Sequence, residues 1–344
     1  MSTPFSGFPG YTSRSFTFKT VNGVDLKLDA LVPVDLGPSP TPVVIHYHGG
    51  FLVVGDRYSI PPYWLIHACV RRRWIFISPD YRLMPEDTAH EAVDDALDAY
   101  SWVVDKLGTT LGIALGPVVL GGSSAGAFLA LTTAALSVHR PRAVVSLYGL
   151  LDLADEHYVT KGANILGLPL IETKSILERF PPASQRGTVS VPGYPWPEDL
   201  KGDDRFALVM ALHIEALLPD FATGIVGFGQ SLAAKGRDAI PETERRLFIG
   251  AFGFPSGLPP VFLLHGRDDA AVPFRISEST ANKLRQAGAR VTTEFPDNAQ
   301  HGFDAMLGRV DVEADSSTQS HSAAVNSLRR VLAFLDQELS KSVS

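Results

Sequence analysis

The sequence predicts an α/β fold: a mostly parallel sheet, helices on both faces, and an inserted cap. Three observations carry this. Short, uniformly apolar runs recur at Val43 to Ile45, Trp74 to Ser78, Pro117 to Leu120, Ala143 to Tyr148 and Val261 to Leu264. Uniform rather than alternating apolarity marks strands buried on both faces, as in parallel sheets. Helical patterns separate these runs, the order that generates crossover units. The alternation then lapses from about Leu153 to Leu258 and resumes, as expected of an insertion.

Taken in order, Phe16 to Pro33 alternates apolar and polar residues about Asn22-Gly23, a hairpin signal. After the proline-rich GPSPTP comes the strand VVI, stopped at Gly49-Gly50. Trp64 to Val70 reads as helical and places Cys69 in the core. The strand WIFIS breaks at Pro79. From Glu91 to Leu107, Val93, Leu97, Tyr100, Val104 and Leu107 share one helical face, with Asp94, Asp95 and Asp98 on the other. Pro117 to Leu120 runs into GGSSAG and an apolar helix. Residues 181–205 are rich in proline, glycine and charge and read as loop, with helices expected from Arg205 to Leu218 and from Ala233 onward. Beyond the strand PPVFLLHG, a helix (Ser277 to Ala287), a short strand (Arg290 to Phe295) and a final helix with Val325, Leu328, Leu332, Leu335 and Leu339 on one face close the chain. The domain reading is a core of 1–152 and 259–344 with a cap of 153–258.

Composition narrows the function classes. Of 344 residues, 45% are apolar and 19% charged, which excludes a disordered chain. A formal net charge of −7 leaves no footprint for nucleic acid. One cysteine excludes an intramolecular disulfide and a cysteine-built zinc site. No apolar run reaches the ~18 residues of a membrane span, and the N-terminus shows no signal-peptide pattern. The expectation is a cytoplasmic protein, with nothing to decide between a monomer and a homodimer.

The strongest chemical signal is Gly122-Ser123-Ser124-Ala125-Gly126 between a buried strand and a helix. A serine in G-x-S-x-G sits on a sharp strand-to-helix turn with its hydroxyl clear of the sheet, and the flanking glycines let the chain pass close to itself. The Ala125 N–H then faces a developing oxyanion at the helix N-terminus. The competing reading is a glycine-rich packing turn. Nucleotide binding fails, since the P-loop lysine and G-x-G-x-x-G spacing are absent. A serine needs a base, and His301, in a loop after the last strand, can reach back to the sheet; His139, His157 and His321 lack such a setting. A base needs an orienting carboxylate, and Asp268 and Asp269 both follow the VFLLHG strand. The order Ser, Asp, His is that of α/β-hydrolases. In His48-Gly49-Gly50-Phe51 the glycines free backbone N–H groups for a substrate oxygen. A metal reading of His46-x-His48 lacks a third ligand.

Together, His48-Gly49-Gly50, Asp80-Tyr81-Arg82-Leu83-Met84-Pro85-Glu86, Gly122-Ser123-Ser124-Ala125-Gly126 and His301-Gly302-Phe303 resemble the hormone-sensitive-lipase-like esterase branch of the α/β-hydrolase fold, over roughly Val43 to Phe303. The resemblance implies Ser124 as nucleophile and His301 as base. It implies Asp269 as acid, from a segment similar to H-G-x-x-D-x-x-V-P, and Gly49, Gly50 and Ala125 as oxyanion hole. It makes Asp80, Arg82 and Glu86 bracing residues. The third glycine of the family motif is Phe51 here, whose side chain is expected to crowd the pocket. The implied activity is hydrolysis of small, uncharged, short-to-medium acyl esters through an acyl-enzyme on Ser124, with no cofactor or metal. Acyl transfer, or lactone or amide cleavage in secondary metabolism, would use the same triad, and a non-catalytic ligand receptor is the rival on the same fold.

Overall fold

The first reversal of the chain is the Asn22-Gly23 turn. Both residues take positive φ, 50° and 80°, as a type I′ turn requires to match the twist of its flanking strands. It joins β1 (Tyr11–Val21) to β2 (Val24–Pro33). β1 starts earlier than the sequence pattern predicts because its N-terminal part is polar and exposed. The computed structural model describes residues 4–185, 189–314 and 322–340 of the chain, so His321 lies outside the described residues. Six further strands complete one sheet: β3 (Thr41–Tyr47), β4 (Ile75–Pro79), β5 (Leu115–Ser123), β6 (Ala143–Leu147), β7 (Val261–Leu264) and β8 (Val291–Glu294). Their order is β1-β2-β4-β3-β5-β6-β7-β8. The β1/β2 and β2/β4 pairs are antiparallel, and every pair from β4 to β8 is parallel.

The longer helices cover both faces. They are α1 (Tyr63–Arg72), α2 (Ala89–Trp102), α3 (Ala125–Leu136), α4 (Asp204–Ile214), α5 (Phe228–Lys235), α6 (Arg275–Gln286) and α7 (Ala323–Ser340). Strand side chains alternate between two cores. Val43, Ile45, Tyr47 and Ile77 pack with α2, α3 and α6, whereas Val44, Phe76, Val145 and Phe262 pack with α1 and α7. Cys69 is buried in the second core, as its helical setting predicts. The start of α2 is set by a capping box in which Thr88 and Glu91 satisfy each other's backbone N–H. Past Trp102 the chain continues as a π turn, Val103–Leu107, which keeps Leu107 buried.

Between β6 and β7 the described residues add no strand to the sheet. The single helix expected from Arg205 to Leu218 is two: α4 ends at Ile214, Ala216 turns with φ 57°, and a short helix follows at Leu218–Thr223. The helix expected from Ala233 begins at Phe228. This insertion is tied to the core by Arg205, which is buried and reaches Glu86 (2.8 Å) and the carbonyls of Met84 (2.7 Å) and Val53 (3.0 Å).

The order of strands fixes where a site can form. β3 lies between β4 and β5. The chain therefore leaves β3 toward one side of the sheet and β5 toward the other, and the carboxyl ends of these neighbours open a crevice, the place where α/β sheets bind ligands. Beneath it, Asp95 of α2 is fully buried and accepts from Arg82 Nε (2.8 Å), Arg82 Nη2 (2.9 Å), the Arg82 amide (2.9 Å) and Lys19 Nζ (2.7 Å). Asp95→Ala leaves the buried Arg82 guanidinium with the longer contact to Asp87 (3.4 Å) in place of its close bonds to Asp95. The expected loss is about 3–5 kcal/mol of unfolding free energy, read from urea denaturation.

Candidate active site

Ser124 joins β5 to α3 with φ 55° and ψ −118°, a strained conformation for a residue with a Cβ. Backbone bonds hold it there. Its N–H donates to Leu147 O (2.9 Å), and its carbonyl accepts from Leu150 N (3.1 Å). The flanking glycines have a steric cause. A Cβ on Gly122 would lie 2.1 Å from Gly126 O, and one on Gly126 would lie 2.0 Å from Tyr47 O. Helix α3 can therefore start hard against β3 only if both positions are bare. The Ser124 hydroxyl is buried and makes no hydrogen bond among the described residues.

The loops that carry the candidate acid and base follow β7 and β8, which pair in register. A Cβ on Gly266 would lie 2.0 Å from Ala299 O, so the two loops touch. Asp268 is used in that contact, accepting from Asn298 N (2.5 Å). Asp269 turns inward. Its Oδ1 accepts from the amides of Ala271 and Val272, both 2.8 Å, and its Oδ2 lies 2.7 Å from His301 Nδ1 and 3.1 Å from His265 Nε2. Burial pushes the Asp269 carboxyl up. The electrostatic interaction with His301 and the bonds from His265 and His301 outweigh this and hold it well below the usual carboxylate range. His265 is itself fixed by Ser277 Oγ (2.7 Å). The His301 ring packs on Tyr148 edge-on at 4.7 Å. Tyr148 in turn donates to Asp304 Oδ1 (2.6 Å), whose other oxygen accepts from Trp64 Nε1 (2.8 Å).

The loop after β3 lies against the serine turn. A Cβ on Gly49 would approach Ser124 Cβ to 3.2 Å, and one on Gly50 (φ 118°) would lie 1.9 Å from Val54 O. The Gly50 carbonyl accepts from Val53 N (2.9 Å) and Val54 N (3.0 Å), and Phe51 and Leu52 take φ of 55° and 62°. Phe51 turns inward, as the sequence predicts. Its ring is buried against His213 of α4, edge-on at 4.7 Å, and lies near-parallel to His301 at 6.3 Å. His48 donates from Nδ1 to Gly49 O (2.8 Å) and stacks on Tyr81 at 4.2 Å. His46 bonds Ser123 Oγ (3.0 Å). Among the described residues no group of three His, Cys, Asp or Glu could hold a metal.

The bracing segment works through ion pairs: Asp80 with Arg57, Arg82 with Asp95, and Glu86 with Arg205. His139 is remote, packing on Tyr100. His157, by contrast, stands beside Tyr158 and His213. The sequence carries no signal for His213, Tyr158 or Arg205, because the helices that bear them belong to the insertion, where no motif marks position. A groove of about 1010 Å³ on the insertion, lined by Val159, Leu177, Glu215 and Asp220 among others, contains none of Ser124, Asp269 and His301.

Burial of His46 lowers its pKa to about 3. An unfolded chain takes up this proton near pH 6.5, the fold only near 3. Its stabilising effect is complete above pH 6.5 and declines as the pH falls toward 3, by up to about 1.4 kcal/mol per pH unit. Urea midpoints of His46→Gln are expected to fall less steeply than those of wild type between pH 6.5 and 4.

A family described as alpha/beta hydrolase fold matches residues 44–180. The non-reducing polyketide synthase pkbA of Emericella nidulans is 26% identical over 95% of this chain, which spans only 14% of that protein's length. The probable carboxylesterase M8 of a Phoma species is 27% identical over 88% of this chain and 92% of its own. A bacterial heroin esterase superposes with a TM-score of 0.65 at 18% identity, covering 98% of this chain and 88% of the other. The family match covers the stretch that carries the glycine loop, the bracing segment and the serine turn, the motifs resembling the hormone-sensitive-lipase-like branch, and the chain has the α/β-hydrolase fold.

Proposed function

We propose that the protein is a serine carboxylester hydrolase. The observation that supports it most is the bond from His301 Nδ1 to a carboxylate held ionised at Asp269, on a sheet whose crevice also carries the strained Ser124. With Nδ1 donating to Asp269, the neutral His301 ring has a bare Nε2 to accept a proton. Ser124 Oγ attacks the ester carbonyl as His301 takes that proton. Asp269 keeps the tautomer and stabilises the imidazolium without itself becoming protonated. The oxyanion is received by the N–H groups of Gly50 and Ala125, with Gly49 or Phe51 as a further donor. His301 then protonates the leaving alcohol, and water, deprotonated by the same ring, releases the acid. This route uses no cofactor or metal.

Residues 153–258 act in this reading as a cap, with Arg205 carrying its position to the carbonyl of Val53 in the glycine loop and to Met84. The buried Phe51 and the closed Ser124 hydroxyl favour small, uncharged esters with short-to-medium acyl chains. A second reading, acyl transfer to an alcohol, is favoured by one finding: nearly all of this chain matches a segment of polyketide synthases. Product analysis with competing alcohols separates the two.

Intact-mass analysis with a fluorophosphonate probe is expected to show one label that is absent from Ser124→Ala. Turnover of 4-nitrophenyl acetate and butyrate is expected to fall about 10³–10⁴-fold in Asp269→Asn, which leaves the imidazole in the wrong tautomer. A folded wild-type sample that neither labels nor turns over would overturn the hydrolase reading in favour of a ligand receptor.

A further inference from the structure

Three buried polar atoms stand together beyond Phe51 with no hydrogen-bond partner among the described residues: His213 Nε2, Tyr158 Oη and His157 Nε2. Their rings form one cluster, with centroids 5.7 Å apart for Tyr158 and His213, 5.9 Å for His157 and His213, and 4.9 Å for His157 and Tyr158. His213 and Tyr158 are completely buried. Leaving such a group unpaired costs about 1–3 kcal/mol, and cores avoid it. Leucine or phenylalanine would fill the same space without that cost.

The cluster adjoins the proposed reaction centre. His213 packs on Phe51, which also faces His301. The charge of Asp269 acts on both Tyr158 and His157. Ser124 Oγ shares their condition, buried and without a partner. The protonation of His213 is fixed. Its Nδ1 lies 2.7 Å from Val209 O, and a carbonyl only accepts, so Nδ1 carries the proton. Burial lowers the ring's pKa to about 4, so it is neutral and its Nε2 is a bare acceptor. Tyr158 is also neutral, burial raising its pKa well above the usual value, and its hydroxyl can donate.

We propose that His213 and Tyr158, with His157 beside them, form a hydroxyl-binding subsite next to Ser124, so that the substrate ester carries an alcohol or phenol that donates to His213 Nε2 and accepts from Tyr158 Oη. This inference rests on the serine-hydrolase reading and specifies its substrate. A bare acceptor and a free donor side by side match one hydroxyl, which is both donor and acceptor. A substrate lacking it leaves both protein groups unpaired on binding, so the pair discriminates by more than the worth of one hydrogen bond. The subsite requires Phe51, packed on His213 and facing His301, to turn aside when an ester enters.

The test compares kcat/KM for ester pairs differing by one hydroxyl: 4-nitrophenyl 3-hydroxybutyrate against the butyrate, 4-nitrophenyl 4-hydroxyphenylacetate against the phenylacetate, and 3-hydroxyphenyl acetate against phenyl acetate. Wild type is expected to favour the hydroxylated member of at least one pair by about tenfold or more. His213→Phe, which keeps the ring contact with Phe51, and Tyr158→Phe, which removes one oxygen, are each expected to bring that ratio to within about twofold. Should His213→Phe fail to fold, Tyr158→Phe alone decides. Equal rates within every pair for wild type, or a preference that survives Tyr158→Phe, would overturn the subsite while leaving the hydrolase intact. Absence of both turnover and fluorophosphonate labelling in folded wild type would instead overturn the hydrolase reading, and the subsite with it.

Discussion

The close approach of β3 and α3 is the constraint on which the rest of the site depends. Tyr47 O and Gly126 leave no room for a Cβ between them, and Gly122 is equally confined by Gly126 O. Because the helix starts this near the sheet, Ser124 is held at positive φ and its side chain is directed away from the sheet. The same contact brings the glycine loop after β3 alongside, with Gly49 against Ser124 Cβ. One steric condition thus places the serine, its strained backbone and the loop of candidate oxyanion donors together. Parallel pairing of β3 with β5 supplies the framework.

Around this point the fold arranges charge in layers. Ion pairs brace the loops from beneath, with Asp95 taking Arg82 and Lys19, and Asp80 taking Arg57. Such buried pairs contribute little net stability, yet each is costly to break singly. That property suits loops whose position matters more than their strength. Above them, Asp269 is stabilised by two amides and two histidines, so it stays ionised although buried. The difference between Asp268 and Asp269 is one of direction. One carboxylate braces the loop after β7 against the loop after β8 at Asn298, and the other points inward to His301.

The insertion does more than cover the sheet. Arg205 links it to Val53 O, Met84 O and Glu86, so α4 is hydrogen-bonded directly to the loop that follows Gly49 and Gly50. His213, on the same helix, packs on Phe51. The residue that departs from the three-glycine pattern therefore joins Arg205 in linking the insertion to the candidate site. The bulky side chain at position 51 replaces open space near the serine with an aromatic wall shared by His213 and His301.

Much of this was legible in the sequence because it is local. Uniformly apolar runs marked the parallel strands, since burial on both faces admits no polar alternation, and Asn22-Gly23 marked the hairpin, since few residue pairs tolerate two positive φ values. Gly122 and Gly126 marked the serine turn for the same steric reason. The choice between Asp268 and Asp269 was not legible from spacing, because neighbouring side chains diverge and only the loop's path says which one faces inward. The insertion's helices could be anticipated only roughly. Ala216 turns the chain between two of them, with Pro219 opening the second, and the grouping of His157, Tyr158 and His213 depends on how two segments more than fifty residues apart pack together. Sequence determines backbone conformation and strand burial through near-neighbour sterics; which side chains meet across the crevice is decided by long-range packing, which the tertiary structure alone fixes.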